Sequence, residues 1–379
     1  MVSKIPFNKP AFFGKEFQYV QQALDAGHLS SSGRFTRACT NLLEQLTGAP
    51  RVLLTTSCTH ALEMAAILLN IVPGDEVIVP SYTFPTTASA FALRGGKVVF
   101  ADIRPDTLNL DERHLEKLIT PKTRAIVPVH YAGVGCEMDA ITAIATTHSL
   151  AVVEDNAQGL FGQYRGQQLG RFGVLSAVSF HETKNISCGE GGCLLINDPG
   201  LIERAEILLE KGTNRRAFFR GEVDKYTWVD LGSSYGPSDL MAAILLAQLE
   251  ERQAILARRR SRWRRYADAL RSWGENNGVT LPYLPAHCDP SYHLFYLVLP
   301  SPELRDAMLR HLGENGVGAV FHYVPLHLSQ VGRAMGGRDG QCPVSEAVYN
   351  RLLRLPLYNT LDEADQERVI DLVMRFPFA

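Results

Sequence analysis

No two cysteines in this chain form a CxxC pair, and their number, seven, is odd. Both facts argue against a disulfide framework and against a thiolate zinc site. Spread from Cys39 to Cys342, they are expected to act mainly as small buried apolar groups. Long hydrophobic runs are missing as well: the stretches 61–72 and 241–249 are too short or too interrupted by charge to span a bilayer, and the opening MVSKIPFNKP has no apolar signal core. A cytoplasmic protein without membrane insertion is expected. Charge of one sign is also lacking, since 38 basic against 40 acidic side chains leave −2, too little to draw nucleic acid or an acidic membrane. The basic run 258–265, with Trp263 inside it, repeats nowhere else and reads as a solvated helix face. Neither a P-loop nor a dinucleotide glycine fingerprint occurs, no internal repeat is visible, and no metal constellation emerges. His181 and Glu182 lack the second histidine of a zinc-protease helix, and Pro325 breaks helical geometry between His322 and His327. The segment FHYVPLH therefore reads as a substrate-facing loop. A sequon at Asn185, Ile186 and Ser187 carries little weight in a cytoplasmic chain, and it sits inside the candidate site at the strand ends.

What the chain does have is 46% hydrophobic content over 379 residues, enough to bury a large core and to divide into two domains. Short β-branched runs at 51–54, 76–79, 97–100, 124–129, 150–154, 176–180 and 192–196 are mostly spaced for an intervening helix, with helical patterns such as 60–69 and 138–148 between them. Apolar runs without strict alternation suit strands buried on both faces, which describes an α/β fold wound around a parallel sheet. Only a Gly-rich loop separates the last two runs, so an antiparallel or irregular connection makes the sheet mixed. After Leu240 a helix-forming stretch continues to about Trp273, and an Asn277-Gly278 turn leads into strand-like pieces at 292–299 and 319–323. A boundary near residue 250 gives a large domain, 1–250, and a small one, 251–379.

Ligands of open α/β sheets sit beyond the carboxyl ends of the strands, and three such ends carry polar groups. At the first, Ser57, Cys58 and Thr59 open a helix whose free amides and dipole suit a phosphate; the same residues also serve as ordinary helix caps. At the second, Asp155 ends a strand in VVEDNAQG, with Gln158 one turn on. That aspartate reads either as a cap or salt-bridge partner, or as the group that keeps a pyridine nitrogen protonated. At the third, SFHETKN sets Ser179 and His181 at alternate positions and Lys184 in the following loop, before the glycines of GEGG. A lone lysine is ordinarily solvated, but one held beside a cofactor has its pKa lowered and its amine activated. Asp155 and Lys184 together are the pair that a pyridoxal phosphate enzyme requires.

These segments, together with PSYTF, RPDT, VPVHYAGV, EMD, EKGTNR, FFRG, VDKYTW, GSSY and RLLRLPLY, resemble the DegT/StrS family of pyridoxal phosphate dependent sugar aminotransferases over nearly the whole chain. The likeness is greatest to the branch that makes dTDP-4-amino-4,6-dideoxygalactose for enterobacterial common antigen. It implies an aspartate-aminotransferase-like, type I fold with a small α+β C-terminal domain, and a homodimer whose sites draw residues from both subunits. Matched by position, Lys184 is the lysine that joins the cofactor aldehyde, Asp155 the partner of the pyridine nitrogen and Gln158 a further cofactor contact. Ser179, Cys58 and Thr59 match phosphate-binding positions, and Phe84 the aromatic that stacks on the ring. One departure stands out: many relatives place an asparagine after the tyrosine of GSSY, reaching the partner's phosphate, whereas this chain has Gly236, with Ser234 or Ser238 as substitutes.

The resemblance further implies L-glutamate as donor, dTDP-4-dehydro-6-deoxy-D-glucose as acceptor, and cofactor alternating between pyridoxal and pyridoxamine 5'-phosphate. The stretch 211–228 is rich in basic and aromatic groups, namely Lys211, Asn214, Arg215, Phe219, Arg220, Lys225, Tyr226 and Trp228. It suits a nucleotide diphosphate and base, or else forms an exposed charged loop. His181, His322, Tyr323 and His327 are candidate sugar contacts. Amination at a 3-keto position, formation of the gluco epimer, and a cofactor-binding regulator without turnover stay open as alternatives. A dehydratase is disfavoured, because relatives with that chemistry replace the lysine that stands here at 184. A lyase or desulfurase would share the lysine without needing FFRG and VDKYTW.

Overall fold

Seven strands of four or five residues lie side by side in the order Arg51–Thr55, Gly192–Ile196, Leu175–Ser179, Ala151–Asp155, Thr123–Ile126, Glu76–Pro80, Lys97–Ala101. This computed structural model describes residues 4–378; residues 1–3, the start of MVSKIPFNKP, and residue 379 lie outside the described residues. All neighbouring strands run parallel except Gly192–Ile196, which is antiparallel to both its partners. The mixed, mostly parallel sheet expected from the sequence is the one observed, and its irregular strand follows the helix-free Gly-rich loop.

Alternation along the strands assigns the two faces. Leu53, Ala177 and Leu194 pack against the helices Cys58–Leu68, Pro85–Ala92 and Ile202–Leu209. Their neighbours Val52, Leu54, Val178 and Leu195 face the opposite way, onto Lys15–Asp25, Arg34–Thr47 and Asp239–Glu250. Both faces are covered, which explains why the strands read as continuous apolar runs. The helix Cys58–Leu68 buries Ala61, Leu62, Met64, Ala65, Ala66, Ile67 and Leu68, so it is apolar almost all round and is pinned under the sheet end that it follows.

A second, three-stranded antiparallel sheet places Leu352–Leu355 between Phe295–Val298 and Val320–Phe321. With the helices Arg252–Asn277, Pro302–Glu314 and Glu363–Met374 it builds its own core, around Tyr266, Leu270, Phe295, Leu297, Leu312 and Val369. Each fully buried leucine there contributes roughly 1.5–3 kcal/mol. The stretch read as one helix from 240 to about 273 is in fact two, Asp239–Glu250 and Arg252–Asn277, separated at Glu251. The second ends at Gly278, whose φ of 65° closes it in the left-handed conformation that glycine adopts without strain.

The basic run on that second helix is not the uniformly solvated face expected. Arg259 is buried and donates to the carbonyls of Tyr292, at 3.0 Å, and of His293, while Trp263 Nε1 donates to Leu294 O at 3.2 Å. Burial pushes the Arg259 guanidinium down to about 9. The two residues clamp the 292–294 segment. Among the described residues no helix is long and apolar enough to cross a membrane.

Candidate active site

The three strand ends singled out in the sequence converge on one cavity of about 510 Å³, which the second sheet closes from the other side through Leu355 and Arg354. Lys184 reaches it from the loop after Leu175–Ser179, its own amide held by the His181 carbonyl at 2.9 Å. Its amine makes no hydrogen bond or ion pair among the described residues. Burial lowers its pKa, the Asp155 charge opposes that shift, and Arg354 adds to it. A desolvated, unpartnered amine is a nucleophile and base in waiting.

Asp155 ends its strand almost fully buried, yet it makes no ion pair among the described residues. Instead Thr87 Oγ1 donates to its Oδ2 at 2.7 Å, with Thr83 Oγ1 2.9 Å behind Thr87, and the Ala157 amide donates to Oδ1 at 3.1 Å. A buried carboxylate with hydrogen-bond donors but no cation is suited to a ligand that brings a protonated nitrogen. Gln158 is locked at both ends: its Oε1 accepts from the Ala132 amide at 2.8 Å, and its Nε2 donates to Tyr323 Oη at 3.2 Å.

One corner of the cavity lies where Cys58–Leu68 begins. Ser57 caps that helix by accepting from the His60 amide at 3.1 Å, while the Cys58 and Thr59 amides have no acceptor among the described residues. Ser179 Oγ, which accepts from the His181 amide at 3.3 Å, lies at the end of the neighbouring strand. Gly192 pairs with Thr55 on one side and Ser179 on the other, and a Cβ there would overlap the Ser57 carbonyl carbon and the Cys58 nitrogen. Only glycine allows the strand to come so close to the loop. Burial also drives the Cys58 thiol well above its usual range, with Asp155 reinforcing the shift, so this cysteine is neutral.

Phe84, His181, His322 and Tyr323 line the same cavity. Phe84 is 54% exposed at the entrance to the helix Pro85–Ala92, where glycine or a polar cap would be usual. His322 Nδ1 lies 2.9 Å from Tyr131 Oη, and burial holds its pKa well below the ordinary histidine value. His327 lies elsewhere: it is fully buried, with Nδ1 2.5 Å from Ser81 Oγ and Nε2 2.9 Å from Glu346, and fastens its segment rather than facing a substrate.

Within one chain the 211–228 segment stays apart from this cavity. Lys211, Arg215, Phe219 and Arg220 line a separate groove with Gly236, and Asn214, Lys225, Tyr226 and Trp228 border neither. Arg220 is engaged by Glu206 and Glu222, each at 2.7 Å, and Arg215 stacks over Phe219. Gly236 abuts Ser31, whose Cβ would be 2.8 Å from a Cβ added there, and Ser238 is used as a helix cap.

Five residues at or beside the cavity were given no role from the sequence. Thr83 and Thr87 stand four apart across the Pro85 that begins a helix, a spacing that places them on one side. Asn185 and His293 pair through Oδ1 and Nδ1 at 3.1 Å beside Lys184, Asn185 being the sequon residue dismissed above. Arg354 was signalled by its charge inside the apolar run LLRLPL.

The unpartnered amine, the cation-free carboxylate and the glycine-cleared helix end match the aldehyde, ring nitrogen and phosphate of pyridoxal phosphate, respectively. Known proteins agree. The spore coat polysaccharide biosynthesis protein SpsC of Bacillus subtilis (strain 168) is 32% identical over 377 residues, 97% of this chain and 96% of its own. The aminotransferase TlmJ of Streptoalloteichus hindustanus is 31% identical and superposes with a TM-score of 0.90 over 98% of each chain. Spr1654 of Streptococcus pneumoniae, solved in a PLP form, is 26% identical with a TM-score of 0.90 over 97% of each chain, and a PMP form superposes equally well. A model of the DegT/DnrJ/EryC1/StrS aminotransferase family matches residues 12–374, and on that match the chain belongs to the family, a pyridoxal phosphate dependent aminotransferase by fold and cofactor alike.

Proposed function

We propose that the enzyme moves the amino group of L-glutamate to C4 of dTDP-4-dehydro-6-deoxy-D-glucose, giving 2-oxoglutarate and dTDP-4-amino-4,6-dideoxy-D-galactose. The observation that carries the chemistry is the unpartnered Lys184 amine sharing a cavity with the cation-free Asp155 carboxylate. The choice of sugar rests on the motif resemblance, and a sugar destined for a surface glycan accords with the name of SpsC.

Pyridoxal phosphate, when bound, supplies an aldehyde for the amine and a ring that takes up negative charge from the carbon bearing the transferred nitrogen. Asp155, steadied by Thr87, holds the proton on the ring nitrogen. The Cys58 and Thr59 amides, with Ser57 and Ser179, would hold the phosphate, and Phe84 would supply an aromatic contact for the ring. Lys184 Nζ takes the proton from Cα of L-glutamate and returns one to C4 of the sugar, and the face from which it does so sets the epimer. His181, His322 and Tyr323 border the space left for the sugar.

A homodimer is part of the proposal, with 211–228 of one subunit completing the nucleotide site of the other. Phe219, Tyr226 and Trp228 are 69%, 52% and 75% exposed, and so large an aromatic surface is a feature of segments that a ligand or a partner covers.

The test is an absorbance spectrum of the loaded enzyme, taken before and after L-glutamate and again after the dTDP-keto sugar, with Lys184→Ala alongside. Conversion from the PLP to the PMP spectrum by glutamate and reversal by the sugar, in wild type only, is expected. Reversal absent with this sugar rejects the substrate, and NMR of the product fixes the carbon and the epimer.

A further inference from the structure

Arg354 occupies the middle strand of the smaller sheet, opposite Tyr296 on one side and Val320 on the other, where apolar residues are the rule. Its guanidinium makes no ion pair among the described residues. Nη2 donates to the Phe321 carbonyl at 3.1 Å, the Phe7 ring centroid lies 4.7 Å from Cζ, and Nε is buried without an acceptor. A half-buried arginine whose Nε is sealed from water without an acceptor is costly, whereas one that meets a carboxylate makes two parallel hydrogen bonds of the strong, charge-assisted kind.

Among the described residues no group supplies that anion. The side chains that Arg354 senses most strongly are the phenols of Tyr82, Tyr131 and Tyr323, each raised by burial and so uncharged at neutral pH. His293 and His322, which share the cavity, are pushed well below the histidine range, so neither brings charge. Arg354 lines the cavity that holds Lys184, and its charge is felt at the Lys184 amine.

We propose that Arg354 anchors a carboxylate of the amino-acid donor. The cofactor phosphate is provided for by the Ser57–Thr59 helix end and Ser179, on the larger sheet. In a nucleotide sugar the diphosphate is joined to C1, with the ring between it and the reacting C4. In the donor the α-carboxylate is bonded directly to the carbon that Lys184 deprotonates, so a guanidinium sharing the cavity with that lysine matches the donor. This inference rests on the donor half of the proposed function and not on its sugar half.

The experiment compares loaded wild type, Arg354→Gln and Arg354→Lys, each first shown to keep wild-type melting and cofactor absorbance. Spectral conversion by L-glutamate and by L-glutamine gives the donor KM, calorimetry gives the affinity for succinate, and the full reaction gives the sugar KM. Arg354→Gln is expected to raise the donor KM at least tenfold and to weaken succinate binding as much, with the sugar KM changed less than twofold and Arg354→Lys in between. Equal losses for both donors identify the α-carboxylate; a loss confined to L-glutamate identifies its side-chain carboxylate. A donor KM and succinate affinity unchanged in Arg354→Gln, or a sugar KM that rises as much as the donor KM, overturns the proposal. Wild type that responds to glutamate but not to the sugar rejects the sugar and leaves Arg354 standing.

Discussion

Thr87 Oγ1 stands 2.7 Å from Asp155 Oδ2, the last link of a chain that runs from Thr83 through Thr87 to the carboxylate. With the hydroxyl of Thr87 donating to Asp155, Thr83 must donate to Thr87, so a single direction of protons is fixed along the chain. The arrangement keeps the carboxylate pointed into the cavity before any ligand arrives.

Thr87→Val preserves shape and removes that donor. A hydrogen bond to a charged group is worth about 1.5–3 kcal/mol, so pyridoxal phosphate should bind roughly tenfold more weakly or worse, as read by equilibrium dialysis. Thr87→Ser should restore it. Wild-type affinity in the valine variant would remove Thr87 from the site.

Lys184 gives a pH-dependent prediction, because burial lowers its pKa from the ordinary 10.5. Below the folded value, both folded and unfolded chains carry the ammonium, and the folded one bears the full desolvation penalty. That penalty fades as pH rises through the folded value and is gone above 10.5. Lys184→Met should therefore stabilise the cofactor-free protein at pH 7, with the gain shrinking toward alkaline pH in urea titrations. A gain that grows with pH contradicts the sign. The same change should cut transamination by a factor on the order of 10³ or more, since the proposed general base is lost.

Gly192 and Gly189 separate crowding from backbone strain. A methyl at Gly192 overlaps the Ser57 and Cys58 backbone, whereas Gly189, at φ 90°, has nothing within 4 Å of the added carbon. Gly192→Ala should cost about 1–3 kcal/mol in urea unfolding and loosen cofactor binding, because the displaced atoms belong to the loop proposed to hold the cofactor phosphate. Gly189→Ala should cost about 1–2 kcal/mol from its left-handed backbone and leave cofactor binding unchanged. Identical cofactor affinities in the two variants would show that the Gly192 contact does not shape the loop.

The sheet and the three polar strand ends were legible because both follow from local pattern: apolar runs of strand length, and chemistry-bearing residues just past them. Asp155 could be read this way, but its neighbour Glu154 could not. Glu154 is wholly buried and accepts from the amides of Gly170, Phe172 and Gly173 at 2.7–2.8 Å, with His130 Nε2 at 2.9 Å. Those partners lie 16 to 24 residues away, and no local periodicity announces them. Arg354 and His293 were missed for the same reason, since they enter the cavity from the second sheet and its flanking segment. Arg259 and Trp263 show the opposite failure, in which a charge-rich helix hides its inward side because arginine can donate to buried carbonyls.

Arg220 tests the part of the proposal that a single chain leaves unassembled. Its guanidinium bridges Glu206 and Glu222, is 44% exposed, and is solvent-screened, so its loss should cost no more than about 1 kcal/mol of stability. Glu206 keeps Arg51 and Arg216 in any case. If 211–228 binds the nucleotide, a cation that exchanges Glu222 for a diphosphate gains a ligand of greater charge, and only the sugar half-reaction feels its absence. Arg220→Ala should then raise the KM for the dTDP-sugar severalfold, leave the L-glutamate KM within twofold, and shift the melting temperature little. Equal effects on both substrates would assign Arg220 to the frame of the protein, as the partner of Glu206, and return the nucleotide site to other residues.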